Sequence, residues 1–447
     1  MPATNVPTIT PAPEPTAALA PTPLTFEQWI QTSLPDQAMI DAVEAPYARA
    51  MGMEVEGILL ETSIIQGING PFAVIIDANT ATPLIISGQN TEGGWIWQEV
   101  TPGKLGAARW GMDIGINYGY ALSPGVREIA ARFNLQFVSY DLTWALTEPT
   151  PGQVVFQNDT GYAYPDREIQ YAYEHGQKLM AGMLIASGQF PDWLTVGIEN
   201  GAFAPDQVQE MVVNRITTIM QRYGDRVSTW VVVNEYHPNE WGWMVDPIQI
   251  SLGNYTELAF QTARQVDPNA VLLYNDCGNE TPDLGSYQFN FDLAQTLHDQ
   301  GLLDGMGIQM HLLRFKDHIP TYQELLNTFN AYKEIGVPVS ITEMDVDMQR
   351  ISGSDTELLA VGIDPASLPA GTDAYTKRML IQAEIYRNAV RAAIDSKNVV
   401  SITFFSIGDN FSWLNDVSGP DSDGTLFDDQ LEPKPAYFAV LQALLGE

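Results

Sequence analysis

Eight short apolar runs, each followed by a stretch of helical periodicity, predict an α/β chain folded as a (β/α)8 TIM barrel over residues 102–447. The runs are Met112–Ile116, Leu135–Tyr140, Lys178–Ile185, Val227–Asn234, Val271–Asn275, Met306–Met310, Val337–Thr342 and Val400–Phe405. Each is almost continuously apolar, as parallel strands buried on both faces must be. No glycine-rich phosphate loop follows an early run, which argues against an open, doubly wound sheet.

The intervening segments carry the helical half of the pattern. In Gln207–Tyr223, the residues Val208, Met211, Val212, Ile216, Ile219, Met220 and Tyr223 fall on one face. Tyr255–Val266 and Tyr375–Ala393 repeat the pattern. Gln349–Gly371 is rich in Ser, Gly, Asp and Pro and reads as a long loop after the seventh run, placed to roof a cleft.

Upstream of the barrel the composition changes twice. Residues 1–24 are rich in Pro, Thr and Ala and read as a disordered linker. Residues 25–101 read as a small N-terminal extension or β-containing accessory unit. Within it, Asp36–Ala45 has helical character, and Val55–Thr62, Phe72–Ile76 and Leu84–Ser87 read as short strands. Trp95 and Trp97 alternate with smaller neighbours; packing of the unit is the favoured reading, a sugar-binding platform the other.

Charge and composition exclude several roles. There are 55 acidic against 21 basic residues, a net charge of −34, which repels phosphate backbones and anionic headgroups. Nucleic acid is therefore not an expected partner. No apolar run is long enough to span a bilayer, so membrane insertion is not expected either. Cys277 is the single cysteine, and the five histidines form no metal-ligand motif, so neither a metal nor a cofactor is expected. The proline-rich start suggests a mature exported chain, secreted or held at the cell surface.

In a barrel of this kind, chemistry sits where strands end. The fourth run ends in Asn234 and Glu235, the fifth in Asn275 and Asp276, and the sixth in Gln309, Met310 and His311. The seventh ends in Ile-Thr-Glu-Met-Asp, giving Glu343 and Asp345, and the eighth is followed by Asp409 and Trp413. Two carboxylates across one barrel mouth, with amides, a histidine and aromatics around them, suit hydrolysis of a glycosidic bond. Either Glu alone is as well explained as a strand-end capping residue; the two together are not. Asp276 and Cys277 read as structural neighbours.

The motifs resemble those of the family 10 glycoside hydrolases, mostly endo-β-1,4-xylanases. LGAARWGMDIG leads into the first strand, and WVVVNE is similar to the family's acid/base segment, with Val231 where Asp is usual. DPNAVLLYND, LLDGMGIQMHL, ITEMDV and FDDQLEPKPAYFAV follow in the family's order. The resemblance implies a retaining hydrolase of a β-linked polysaccharide or oligosaccharide, β-1,4-xylan being the best match. It implies Glu343 as nucleophile and Glu235 as acid/base. Asn234 would bind the sugar 2-hydroxyl, His311 held by Asp345 would orient Glu343, and Gln309 belongs to the same support.

The resemblance breaks on the side that holds the non-departing sugar. Ser139–Trp144 keeps only the tryptophan of the family's usual segment, Gly182, Ala186 and Ser187 stand where larger polar or aromatic residues are usual, and Phe405 replaces a Trp. Small residues there imply an opened pocket. Trp413, Trp144, Tyr140, Asp141, His237, Trp241 and Trp243 are the candidate sugar contacts. A non-catalytic glycan-binding barrel, or a hydrolase of another β-glycan, are the competing readings. Joint retention of Glu235, Glu343, Asn234, His311 and Asp345 favours an enzyme.

Overall fold

The computed structural model describes residues 101–446, apart from 120–122, 157–164, 240–241, 243–244, 315–317 and 421, and the backbone of four strands before them. Those strands, Leu60–Gly67, Gly70–Asp77, Thr82–Thr91 and Gly94–Glu99, form an antiparallel sheet in sequence order. The second and third contain the expected Phe72–Ile76 and Leu84–Ser87 and run longer, the fourth is the Trp95/Trp97 segment, and the first overlaps the expected Val55–Thr62 only at residues 60–62, residues 55–59 lying outside the described ones. The expected helix Asp36–Ala45 and the linker at 1–24 lie outside the described residues.

The eight barrel strands, first to eighth, are Asp113–Ile116, Leu135–Val138, Lys178–Ala181, Thr229–Asn234, Val271–Asp276, Gly305–Ile308, Val339–Val346 and Val399–Phe404. All neighbouring pairs are parallel, and the eighth pairs with the first, so the sheet closes on itself. Each strand is followed by a principal helix; the longest are Pro205–Tyr223 after the third and Ala374–Ser396 after the seventh.

Side-chain alternation along the strands explains the apolar runs. Val231 faces inward and packs with Leu135, Phe137, Met180 and Leu273 in the small core that fills the barrel. Its neighbours Trp230 and Val232 face outward into the larger core between sheet and helices. Both faces are dry, so apolar side chains dominate each strand. On Pro205–Tyr223 the buried face is the predicted one except that Met211 is half-buried, and Arg215 is added to it. The Arg215 guanidinium donates to the Leu184 carbonyl at 3.2 Å, to Thr147 Oγ1 at 2.5 Å and to the Leu142 carbonyl, tying the ends of the second and third strand loops to one helix.

The segment after the seventh strand is more ordered than its composition implied. Within 349–371 it folds a helix, Asp355–Ala360, capped by Ser354 with Glu357, and a 3-10 turn at Pro365–Ser367. Asp355 pairs with Lys377 at 2.7 Å on the following long helix. The chain end is fastened by a buried Lys434–Asp409 ion pair at 2.9 Å, with Asp409 also accepting from Thr425. Asp409 is therefore a strut of the eighth loop.

One expectation about space is overturned. Gly182 was expected to leave a void where a larger side chain is usual. A Cβ there would stand 2.7 Å from both the Cβ and the carbonyl oxygen of Val231, so the neighbouring strand already occupies the position. Met183 and Ala186 complete this apolar patch with Val231. Gly182→Ala should therefore destabilise the fold. Val231→Asp, which places an unpaired carboxylate in the same core, should cost about 3–5 kcal/mol. Urea unfolding of both variants against wild type measures these losses, and an unchanged midpoint for Val231→Asp would contradict the packing described.

Candidate active site

The polar residues at the strand ends are held in line by the barrel's own backbone ladder. Asn234 and Asn275 stand opposite each other in register. Beyond them the Glu235 amide donates to the Asn275 carbonyl, the Gln309 amide to the Asp276 carbonyl and the Glu343 amide to the Gln309 carbonyl, each at 3.0 Å. Parallel pairing thus delivers one residue from each of four strands to a common rim. Glu235 and Met310 leave their strands at φ 55° and 68°. Non-glycine residues adopt this left-handed region at a cost of order 1–3 kcal/mol, and such strain gathers at functional sites.

On this rim a chain of side-chain amides joins the two carboxyl groups. Gln309 Nε2 donates to Glu235 Oε1 at 2.7 Å and lies 3.3 Å from Asn234 Oδ1. The Asn275 amide donates to Asn234 Oδ1 and to Glu343 Oε1, both at 2.8 Å. Its own oxygen accepts from Thr342 Oγ1 at 2.6 Å, which fixes the amide's orientation. Glu343 is also approached by His311 Nε2 at 3.5 Å. His311 Nδ1 meets Asp345 Oδ1 at 2.9 Å, and Trp413 Nε1 donates to Asp345 Oδ2 at 2.7 Å. The His311 ring is flanked by Trp413 at 4.8 Å and Phe405 at 5.5 Å between centroids.

The electrostatics act most clearly on Glu235 and His311. Burial pushes the Glu235 carboxyl up; the Gln309 hydrogen bond opposes this, and the charges of Asp276 and Glu343 reinforce it. Burial works against a charged His311, but the Asp345 and Glu343 carboxylates outweigh it and raise His311 to about 10. His311 is thus a cation at neutral pH, with one N–H directed to each carboxylate. The site therefore holds one carboxyl with raised proton affinity, Glu235, beside one, Glu343, bound by an amide and faced by a cation. That division of labour is what acid-assisted displacement at a sugar carbon needs.

Of the thirteen residues singled out from the sequence, Glu235, Glu343, Asn234, Gln309, His311, Asp345 and Trp413 come together here. Three do not behave as sugar contacts. Trp144 is in the core, 2% exposed, its indole N–H donating to Glu148 and its ring against Phe190, Trp193 and the Arg215 guanidinium. No open ring face is left for stacking. Asp141 turns outward, away from the barrel mouth, and is buried against Glu168 of the helix Pro165–Glu174. Burial lifts Asp141 to about 6 and Glu168 well above its ordinary range, so the two carboxyls share a proton. His237 is buried and paired with Asp276 at 3.0 Å. Tyr140 is exposed at the end of the second strand. Trp241 and Trp243 lie outside the described residues.

Sequence reasoning passed over Asn275, the hub of the amide chain. The available signal was an amide and a carboxylate ending an otherwise apolar strand, Val271–Asp276. The hub also explains a glycine. A Cβ at Gly307 would stand 2.3 Å from Asn275 Oδ1, so only glycine leaves room for that side chain. Among the described residues no group of three or more His, Cys, Asp or Glu is arranged to hold a metal ion.

Comparison with known proteins decides the family. The model of glycosyl hydrolase family 10 matches residues 119–443, well over half of the chain. The chain belongs to glycosyl hydrolase family 10. As a family 10 member it is a glycoside hydrolase of endo-1,4-β-xylanase type. An endo-1,4-β-xylanase B of Thermotoga neapolitana is 26% identical over 327 residues, covering 71% of this chain and 82% of the relative. An endo-1,4-β-xylanase A of Phanerodontia chrysosporium is 28% identical over 300 residues, covering 66% and 64%. Among solved structures, xylanase 10B of Thermotoga petrophila in complex with xylobiose aligns with TM-score 0.64 at 24% identity, covering 78% of this chain and 98% of that one. At that identity the likeness shows the fold.

Two outcomes follow from the family 10 site. Gly307→Ala should displace the Asn275 amide and lower kcat/KM by about 10²-fold, the loss that misplacement by about 1 Å produces. Steady-state kinetics beside circular dichroism separate this from unfolding. His311 should also link stability to pH. Its folded value of about 10 lies above its ordinary 6.5, so its contribution is complete below 6.5 and is lost as pH rises towards 10. Thermal midpoints between pH 6 and 10 should fall more steeply for wild type than for His311→Gln.

Proposed function

We propose that this family 10 enzyme hydrolyses β-1,4-xylan, or a closely similar neutral β-glycan, at internal bonds by double displacement with retention of configuration. The observation that carries the reading is the continuous amide chain from Glu343 through Asn275, Asn234 and Gln309 to Glu235. It fixes two carboxyl groups in unlike surroundings on one rim. The relatives' names supply the substrate class, being endo-1,4-β-xylanases in Thermotoga and Humicola, and one aligned structure holds xylobiose.

In this mechanism Glu343 attacks the anomeric carbon while Glu235 protonates the departing oxygen, leaving a glycosyl-enzyme. Retention calls for the two carboxyl groups to stand about 5–5.5 Å apart. Water then displaces Glu343, with Glu235 taking the water's proton. The Glu343 charge that favours a protonated Glu235 vanishes in the intermediate, which turns the same residue from acid to base. Asn234, held by two amides, presents its side chain to the sugar 2-hydroxyl, and Trp413 offers a partly open ring. His311 orients Glu343 and faces it with a positive charge.

A second reading concerns which sugar lies on the non-departing side. Gly182, Val231, Met183 and Ala186 make that region apolar, and the Ser187 hydroxyl is engaged with Asp246 at 3.0 Å. A site short of donors there discriminates weakly among sugars by hydroxyl pattern. A β-glycan other than unsubstituted xylan is therefore the alternative substrate. Polymers of this kind are met outside the cell, which supports an exported enzyme; fractionation of cells carrying the protein would locate it.

Release of reducing ends from a panel of neutral polysaccharides, with product lengths followed over time, tests substrate and internal cleavage together. Mixed oligosaccharides early in the reaction are expected from xylan. Glu343→Ala should lose activity by about 10⁴-fold or more and regain turnover of an activated aryl β-glycoside with azide, giving a glycosyl azide of inverted configuration. Glu235→Gln should fail on substrates with poor leaving groups. Full activity of Glu235→Gln on xylan would remove Glu235 from the role of acid.

A further inference from the structure

The loop that leaves the fourth barrel strand turns back onto the fifth. Asp276 follows Asn275, the residue in register with Asn234, so it stands beside Glu235 on the neighbouring strand. It is completely buried. Its carboxylate accepts from the Tyr274 hydroxyl and from the Cys277 amide at 2.8 Å. The remaining partner is His237, whose Nε2 lies 3.0 Å from Asp276 Oδ1. His237 is held there by its own loop. The Gln249 side chain donates to the His237 carbonyl at 3.1 Å and accepts from the Asn239 amide at 2.7 Å. Asn239 in turn brackets Asp246, which caps the helix Pro247–Leu252.

We propose that His237 and Asp276 form a positioning pair for Glu235, in which His237, seated against the Asp276 carboxylate, offsets its influence so that Glu235 answers chiefly to Glu343. The inference rests on the reading of Glu235 as acid and base. Two negative charges favour a protonated Glu235, those of Asp276 and Glu343. The Glu343 charge disappears when the glycosyl-enzyme forms; the Asp276 charge does not. Uncompensated, it would hold the proton on Glu235 in the second step, where Glu235 must accept one from water.

Burial opposes a charged His237, but Asp276 and Glu235 raise its proton affinity above the ordinary histidine value, which favours the cation. The other titratable groups around the pair are already engaged or neutralised. His311 is bound to Glu343 and Asp345, Asp246 to Ser187 and Tyr255, and burial holds Glu280 up at about 7. Burial likewise keeps the Cys277 thiol protonated.

The pH dependence of kcat/KM on a xylo-oligosaccharide, whose poor leaving group requires acid help, tests the pair. His237→Asn leaves Asp276 uncompensated, so the basic limb should move up by about one pH unit. The same variant should accumulate glycosyl-enzyme on a dinitrophenyl β-glycoside, seen as a burst followed by a lower kcat. Asp276→Asn should move the limb down by about one unit. Opposite shifts are not what a merely structural defect produces. Shifts in one direction, or none, overturn the proposal. Should Asp276→Asn fail to fold, His237→Lys decides: a limb at the wild-type position supports the cation's role, and a limb coincident with that of His237→Asn refutes it. Glu235→Gln is the control. Its retaining activity on the oligosaccharide would remove the acid assignment itself, whereas its loss without opposite shifts removes only the pair.

Discussion

The amide of Asn275 is the contact on which the site depends. Its two N–H groups bind Asn234 and Glu343 at once, and its oxygen is taken by Thr342. Every polar atom of that side chain is therefore used, and it can adopt only one orientation. The positions of Glu343 and of the Asn234–Gln309–Glu235 arm follow from it. Gly307 on the sixth strand exists in this form because a Cβ would occupy the space of the Asn275 oxygen. A backbone choice on one strand thus sets a side-chain position on the next, and through it the geometry of two carboxyl groups.

The second constraint is charge in a dry place. Glu235, Glu343, Asp345, Asp276 and Glu280 are carried by adjacent strands and loops, all largely buried. Such a cluster is stable only if cations and dipoles are placed within it. His311 serves two of the carboxylates and His237 a third. Amides and hydroxyls serve the rest. Burial first, and then the part of the imbalance that remains, raise the proton affinity of Glu235, the property an acid catalyst needs.

Much of the barrel was legible because its strands are dry on both faces. Thr229–Asn234 reads as an apolar run since Val231 fills the barrel and Trp230 and Val232 meet the helices. Its abrupt end in Asn234 and Glu235 was legible for the same reason, as the apolar run of this strand stops where the chain reaches the barrel rim. Asn275 obeys this rule too, yet one amide among several strand-end polar residues carries no mark of being the hub. Gly182 was misread because its apparent void depends on Val231, 49 positions along the chain and adjacent only after the sheet closes.

By itself the sequence determined the barrel, the order of its polar strand ends and the two glutamates, because strand burial and strand termination are local properties written in hydrophobicity. Only the tertiary structure decided which way each flanking side chain points. Trp144 and Asp141 sit at a strand end like Glu235, but the turn after the second strand directs them to the outer layer, onto Phe190 and Trp193 and onto Glu168. His237 is two residues from Glu235, but the Gln249 and Asn239 hydrogen bonds fold it onto Asp276. These outcomes arise from contacts between segments distant in the chain, and no local pattern encodes them.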